Sequence, residues 1–116
     1  MSSDGNRMAK LEELLNEAWR EHRVEVLARV DSLRETLAAA RAGTLDKTAR
    51  EQANSMAHKL AGVLGTFGLR EASRAALEIE RTLAPDSQMS KERLAEYEGH
   101  LRVIGEGMLK RDAEAA

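Results

Sequence analysis

The sequence predicts an all-α protein, an antiparallel four-helix bundle with an additional N-terminal capping helix. Three observations carry that prediction. Apolar residues recur at spacings of three and four along almost the whole chain, the period of a helix with one buried face. β-Branched residues are few and never alternate over the length of a strand. The interruptions between periodic segments are only a few residues long, so successive helices must return antiparallel to one another. At 116 residues the chain is sized for one domain with a modest core. The expected division is a flexible tail over residues 1–5, the domain over 6–110 and a second flexible tail over 111–116.

From Asn6 to Ala42 there is neither Gly nor Pro, and Met8, Leu11, Leu15, Ala18, His22, Val26, Val30, Leu33, Leu37 and Ala40 form an apolar seam. Two consecutive spacings of four, from Ala18 through His22 to Val26, interrupt the alternation where Arg20-Glu21-His22-Arg23 raises the polarity. The segment therefore reads as one long helix or as two. The preferred reading is two, the first short and laid across the end of the bundle, with His22 a partly buried packing residue. Gly43 is the expected C-terminal cap and Thr44 the N-cap of the next helix. That helix gathers Ala53, Met56, Ala57, Leu60, Leu64 and Phe67 on one stripe and ends near Phe67, with Gly68 as its cap. Leu69 opens the following helix, whose inner face is Leu69, Ala72, Ala76, Ile79 and Leu83, and Pro85 stops it. After a loop over residues 85–89, Ser90 caps a last helix with the seam Leu94, Tyr97, Leu101, Ile104 and Met108. Gly99, Gly105 and Gly107 weaken it; the sequence leaves open whether the last two mark fraying and whether Gly99 admits a close neighbour.

Composition excludes several function classes. Eighteen basic residues nearly balance twenty acidic ones, a net charge of -2, so there is no electrostatic footprint for nucleic acid or an anionic membrane. Trp19, Phe67 and Tyr97 are too scattered for base stacking. Without cysteine there is no thiol nucleophile and no thiolate metal site, which suits a cytoplasmic protein. The start Met1-Ser2-Ser3-Asp4-Gly5 has no signal-peptide character, and the apolar run from Leu60 to Leu69 is too short to cross a bilayer. No metal site is expected: the residues three before His22, His58 and His100 are Trp19, Ser55 and Tyr97, so the Glu-x-x-His pairs of a di-metal bundle are absent. No motif ties a nucleophile to a base.

The stretch Met56–Leu69 breaks local rules in a pattern. Gly62, Gly65 and Gly68 recur every third residue inside an otherwise helical segment, just after His58. On a helix advancing ~100° per residue, His58 points away from the apolar stripe, and Gly62 and Gly65 flank it on the same outward side. Each interior glycine costs roughly 1 kcal/mol relative to alanine. Two on an outward face recover nothing from packing inside the chain, which suggests that something external must come close to the His58 ring. The glycines are not a nucleotide loop, because no strand precedes them and no Gly-Lys-Ser/Thr follows.

Ala57-His58-Lys59-Leu60-Ala61-Gly62, followed by Leu64-Gly65-Thr66-Phe67-Gly68-Leu69, resembles the signature of histidine phosphotransfer (HPt) domains, the small helical proteins that carry phosphoryl groups between receiver domains in bacterial phosphorelays. The phosphoacceptor domain of histidine kinases is a poorer match, since an acidic residue usually follows the histidine there and a proline lies a few residues on. Here Lys59 follows and the only proline is Pro85.

The resemblance implies His58 as phosphoacceptor through Nε2, reversible exchange with receiver aspartates, and Gly62 and Gly65 as clearance for the docking partner. It implies a phosphocarrier rather than an autonomous enzyme, with no cofactor bound by this chain and Mg²⁺ supplied by the receiver. The partners would be receiver domains of response regulators or hybrid histidine kinases, with the chain itself a monomer. Many family members carry a lysine three residues after the histidine; here that position is Ala61. Lys59, which projects ~100° around the helix, either reaches back to the phosphoryl group or faces water. Ser55 and Asn54, one turn before His58, are candidates to hydrogen-bond the ring or the phosphoryl group. The alternatives are a pseudo-phosphotransfer adaptor that binds receivers without transfer, and a helical interaction subunit.

Overall fold

The computed structural model describes residues 3–116. Four helices account for nearly all of them: α1 (Ser3–Ala42), α2 (Lys47–Thr66), α3 (Arg70–Thr82) and α4 (Lys91–Ala115). α1 lies against α2 and α4, and α3 lies against the same two, while α1 and α3 stand diagonally opposite. The four therefore stand as a square with short antiparallel connections, as the spacing predicted.

Each connection has an identifiable stop and start. At the end of α1, Gly43 takes φ +71°, and the Thr44 N–H turns back to the Ala39 carbonyl at 2.9 Å. Thr44 is thus consumed in closing α1, and the N-cap of α2 passes to Asp46, whose carboxylate accepts from the Ala49 N–H at 2.8 Å. Gly68, at φ +77°, closes α2 in the same way, the Leu69 N–H reaching the Leu64 carbonyl. Ser90 caps α4 by accepting from the Arg93 N–H, as expected.

The expected capping helix is not formed: α1 runs unbroken for 40 residues, about 60 Å at 1.5 Å per residue, and sets the 60 Å long axis of the molecule. The physical reason lies in which residues make the seam. Trp19, Val26, Val30, Leu33 and Leu37 are buried with Arg23 half-buried between them, an alternation of fours and threes with no break in phase. His22, expected to be partly buried, is exposed, its Nδ1 3.9 Å from the Glu25 carboxylate and its ring centroid 6.0 Å from that of Phe67. Residues 3–5 of the expected N-terminal tail belong to α1, and Met1 and Ser2 lie outside the described residues.

The expected C-terminal tail is also helical, to Ala115, and it is anchored. Asp112 takes two hydrogen bonds from the Arg23 guanidinium, each 2.9 Å, and one from the buried Trp19 indole at 2.8 Å. Arg111 donates to Asn16 at 2.8 Å, and Arg20 donates to the Ala115 carbonyl. Gly107, not Gly99, is where helices come close: a Cβ at Gly107 would lie 3.3 Å from Ala72, whereas Gly99 faces open space. Tyr97 crosses the core to donate its hydroxyl to the Leu33 carbonyl at 2.6 Å, and burial pushes its pKa up.

The hydrogen bond from Arg23 holds the Asp112 carboxyl below its ordinary range; partial burial opposes this, and the Trp19 hydrogen bond and the Arg23 charge add to it. A carboxylate depressed on folding contributes stability that is present above its unfolded pKa, ~3.9, and is lost as pH falls through the lower folded value. Asp112→Ala is therefore expected to cost about 2 kcal/mol at neutral pH, by removing the carboxylate that pairs with Arg23 and by stranding the buried Trp19 N–H. The cost should shrink in strong acid, and urea unfolding at both pH values reads it. Equal loss at both would mean that the carboxylate's charge is not what anchors α4.

Candidate functional site

α2 and α3 form a hairpin turning at Leu69, and its symmetry sets the site. His58 lies eleven residues before Leu69 and Glu80 eleven after it, so the two stand level on adjacent helices. Gly65 and Ser73, four residues to either side, are level in the same way, and a Cβ on Gly65 would lie 3.5 Å from the Ser73 hydroxyl. That hydroxyl donates to the Ala61 carbonyl at 2.8 Å, and the Asn54 amide donates to the Glu80 carbonyl at 2.7 Å. These two polar ties hold the helices together on both sides of His58.

The His58 side chain is 70% exposed, and its Nδ1 lies 3.0 and 3.2 Å from the two carboxylate oxygens of Glu80, which is 27% exposed. A carboxylate can only accept, so Nδ1 carries the proton and, in the neutral ring, Nε2 keeps the lone pair. The ring is thereby fixed in tautomer and orientation with its nucleophilic nitrogen on the side away from Glu80. Gly62 is exposed, with nothing within 4 Å of where its Cβ would stand, which matches the bald strip expected beside the histidine. Gly65 is also exposed, and an added Cβ would meet Ser73 only at ordinary contact distance.

The other expected site residues separate. Lys59 is exposed and lines a surface cleft with Arg29, Glu51, Gln52, Ser55 and Met56, on the α1 side of α2. His58 is tied the other way, toward α3. Ser55 is exposed and makes no hydrogen bond to the ring; Asn54 is committed to the α3 backbone. Ala61, where the resemblance places a lysine, is buried at 4% exposure. Among the described residues no lysine or arginine forms an ion pair with His58 or Glu80. The partner that the sequence reading missed is Glu80, and the hairpin's symmetry about Leu69 is the signal that points to it.

Among the described residues no helix is long and apolar enough to cross a membrane, and no cluster of three or more His, Asp or Glu is placed to hold a metal. A comparison with family models matches residues 6–108 to the Hpt domain. No curated protein and no solved structure matches the chain significantly.

Proposed function

This chain belongs to the Hpt domain family, and from that premise we propose that it accepts a phosphoryl group on His58 from a receiver-domain aspartyl phosphate and passes it to another receiver. The observation that carries the reading is the His58–Glu80 contact beside an unobstructed Gly62, which leaves one nucleophilic nitrogen outward with open space one turn further along the helix. The Nε2 lone pair attacks phosphorus in line, the N–P bond forms as the P–O bond to the aspartate breaks, and the aspartate leaves as carboxylate. Positive charge gathers on the ring during attack. Glu80 faces it through Nδ1–H and stabilises it, in the way that a carboxylate supports the histidine of a hydrolase triad. The receiver brings the Mg²⁺ that neutralises the phosphoryl oxygens. Reversal at a second receiver completes the relay, and no part of the step calls on ATP.

The test is incubation of the purified chain with a phosphorylated receiver and Mg²⁺. Acid-labile, alkali-stable phosphate on this chain supports transfer; binding without label from several receivers would favour the adaptor reading, which the buried Ala61 in place of a lysine motivates. Glu80 acts in this reading as a positioning residue. Glu80→Ala is expected to slow transfer roughly tenfold or more, while Glu80→Gln, whose amide oxygen still accepts from Nδ1, should retain the Nδ1–H tautomer and lose less. Nitrogen-15 shifts of the ring read the tautomer directly, and an unaltered tautomer in Glu80→Ala would reduce Glu80 to a surface partner.

A further inference from the structure

The first turns of α1 stand in the open. Residues 4–15 are all exposed, and Asn16 is the first residue of α1 that α4 reaches, through Arg111. About 18 Å of helix therefore projects beyond the bundle. An isolated helix this short is marginal in water. It nevertheless carries an apolar face: Met8 is 64%, Leu11 56%, Leu14 53% and Leu15 38% exposed. The spacing Met8, Leu11, Leu15, Ala18 is the three-four alternation of a coiled-coil seam.

The charges on this segment say what covers the face. Arg7, Leu14 and Glu21 repeat every seven residues and so form one row along the edge of the seam, basic at one end, apolar in the middle and acidic at the other. Further out, Lys10 and Glu17 repeat the same polarity. Among the described residues none of these charges has an ion-pair partner, whereas further along the same helix Arg23, Arg29, Arg34 and Arg41 are all paired. A row of that polarity is complementary to itself when run antiparallel. We infer that the projecting segment of α1 is a self-association surface, pairing antiparallel with the same segment of a second copy about a two-fold axis near Leu14.

In that arrangement Arg7 of each chain meets Glu21 of the other, Leu14 meets its own copy, and Leu11 and Leu15 interleave. A parallel pair would set Arg7 against Glu12 of its partner and leave Glu21 opposite Val26, without a basic partner. Glu12, on the opposite edge, meets its own copy and is the one unfavourable approach. α4 meets α1 from Asn16 onward and Phe67 stands beside Trp19 and His22, which limits the overlap to about two heptads, so the contact is small and the dimer is a concentration-dependent one. His58 stands level with the part of α1 near Arg29, about one heptad beyond Glu21, and turns toward α3, so it stays open to a partner. This self-association replaces the monomer expected from sequence and does not depend on the phosphotransfer reading.

Sedimentation velocity of the full chain from micromolar to millimolar concentration tests it. The wild type is expected to pass from monomer to dimer, and Leu11→Glu to remain monomeric with its thermal unfolding of the bundle unchanged. Arg7→Glu should weaken association about tenfold, since two attractive pairs turn repulsive, and Arg7→Glu with Glu21→Arg should restore it. A monomer throughout the range, a dimer indifferent to Leu11→Glu, or a charge swap that fails to restore association would each overturn the inference. So would a monomer whose Leu11 face is instead protected by an added receiver domain.

Discussion

His58→Gln is expected to abolish phosphorylation of this chain by a phosphorylated receiver while leaving its fold and its receiver affinity nearly unchanged. Gln has no nitrogen with a free lone pair to attack phosphorus, so the loss should be complete rather than graded. His58 is exposed and its polar tie is to the partly buried Glu80, so little stability rests on it. Binding should survive, since the proposed docking strip at Gly62 and Gly65 is untouched. Transfer gels and a titration of the receiver check the two halves separately, and residual labelling of His58→Gln would place the acceptor on another residue, with His22 and His100 the remaining histidines.

The complementary result is expected for Gly62→Gln. The position is helical, its φ is not in the left-handed region, and no atom stands within 4 Å of an added Cβ. Glutamine should therefore raise stability by roughly 0.5–1 kcal/mol through helix propensity alone, a few degrees in Tm for a domain of this size. The same side chain fills the strip one turn beyond His58, the proposed receiver approach, and should abolish docking and hence transfer. A gain in stability with loss of binding separates this glycine from one kept for packing; retained transfer would show that the partner approaches from elsewhere.

Much of this was legible in the sequence, and the misses share one cause. The inner faces of α3 and α4 follow from spacing because each is read within a single helix, and every residue of the α4 seam is buried. The break expected near His22 came from reading Arg20–Arg23 as local polarity. Arg23 sits in the seam because Asp112, eighty-nine residues away, pairs with it. Asp112 in turn keeps the end of α4 from being a tail. Such a pair has no local signature. Glu80 is also distant in sequence, but the hairpin's symmetry about Leu69 would have reached it once the turn was placed. Lys59 follows His58 in the chain, and the packing of α2 between α1 and α3 turns the ~100° between them into different sides of the helix.

The most direct measurement is the site and atom of phosphorylation, read by phosphorus and nitrogen-15 NMR on histidine-labelled protein after transfer from a receiver. Phosphate on Nε2 of His58, with Nδ1 still protonated toward Glu80, is the predicted result. Phosphate on Nδ1, on His22 or His100, or on no histidine at all would contradict it.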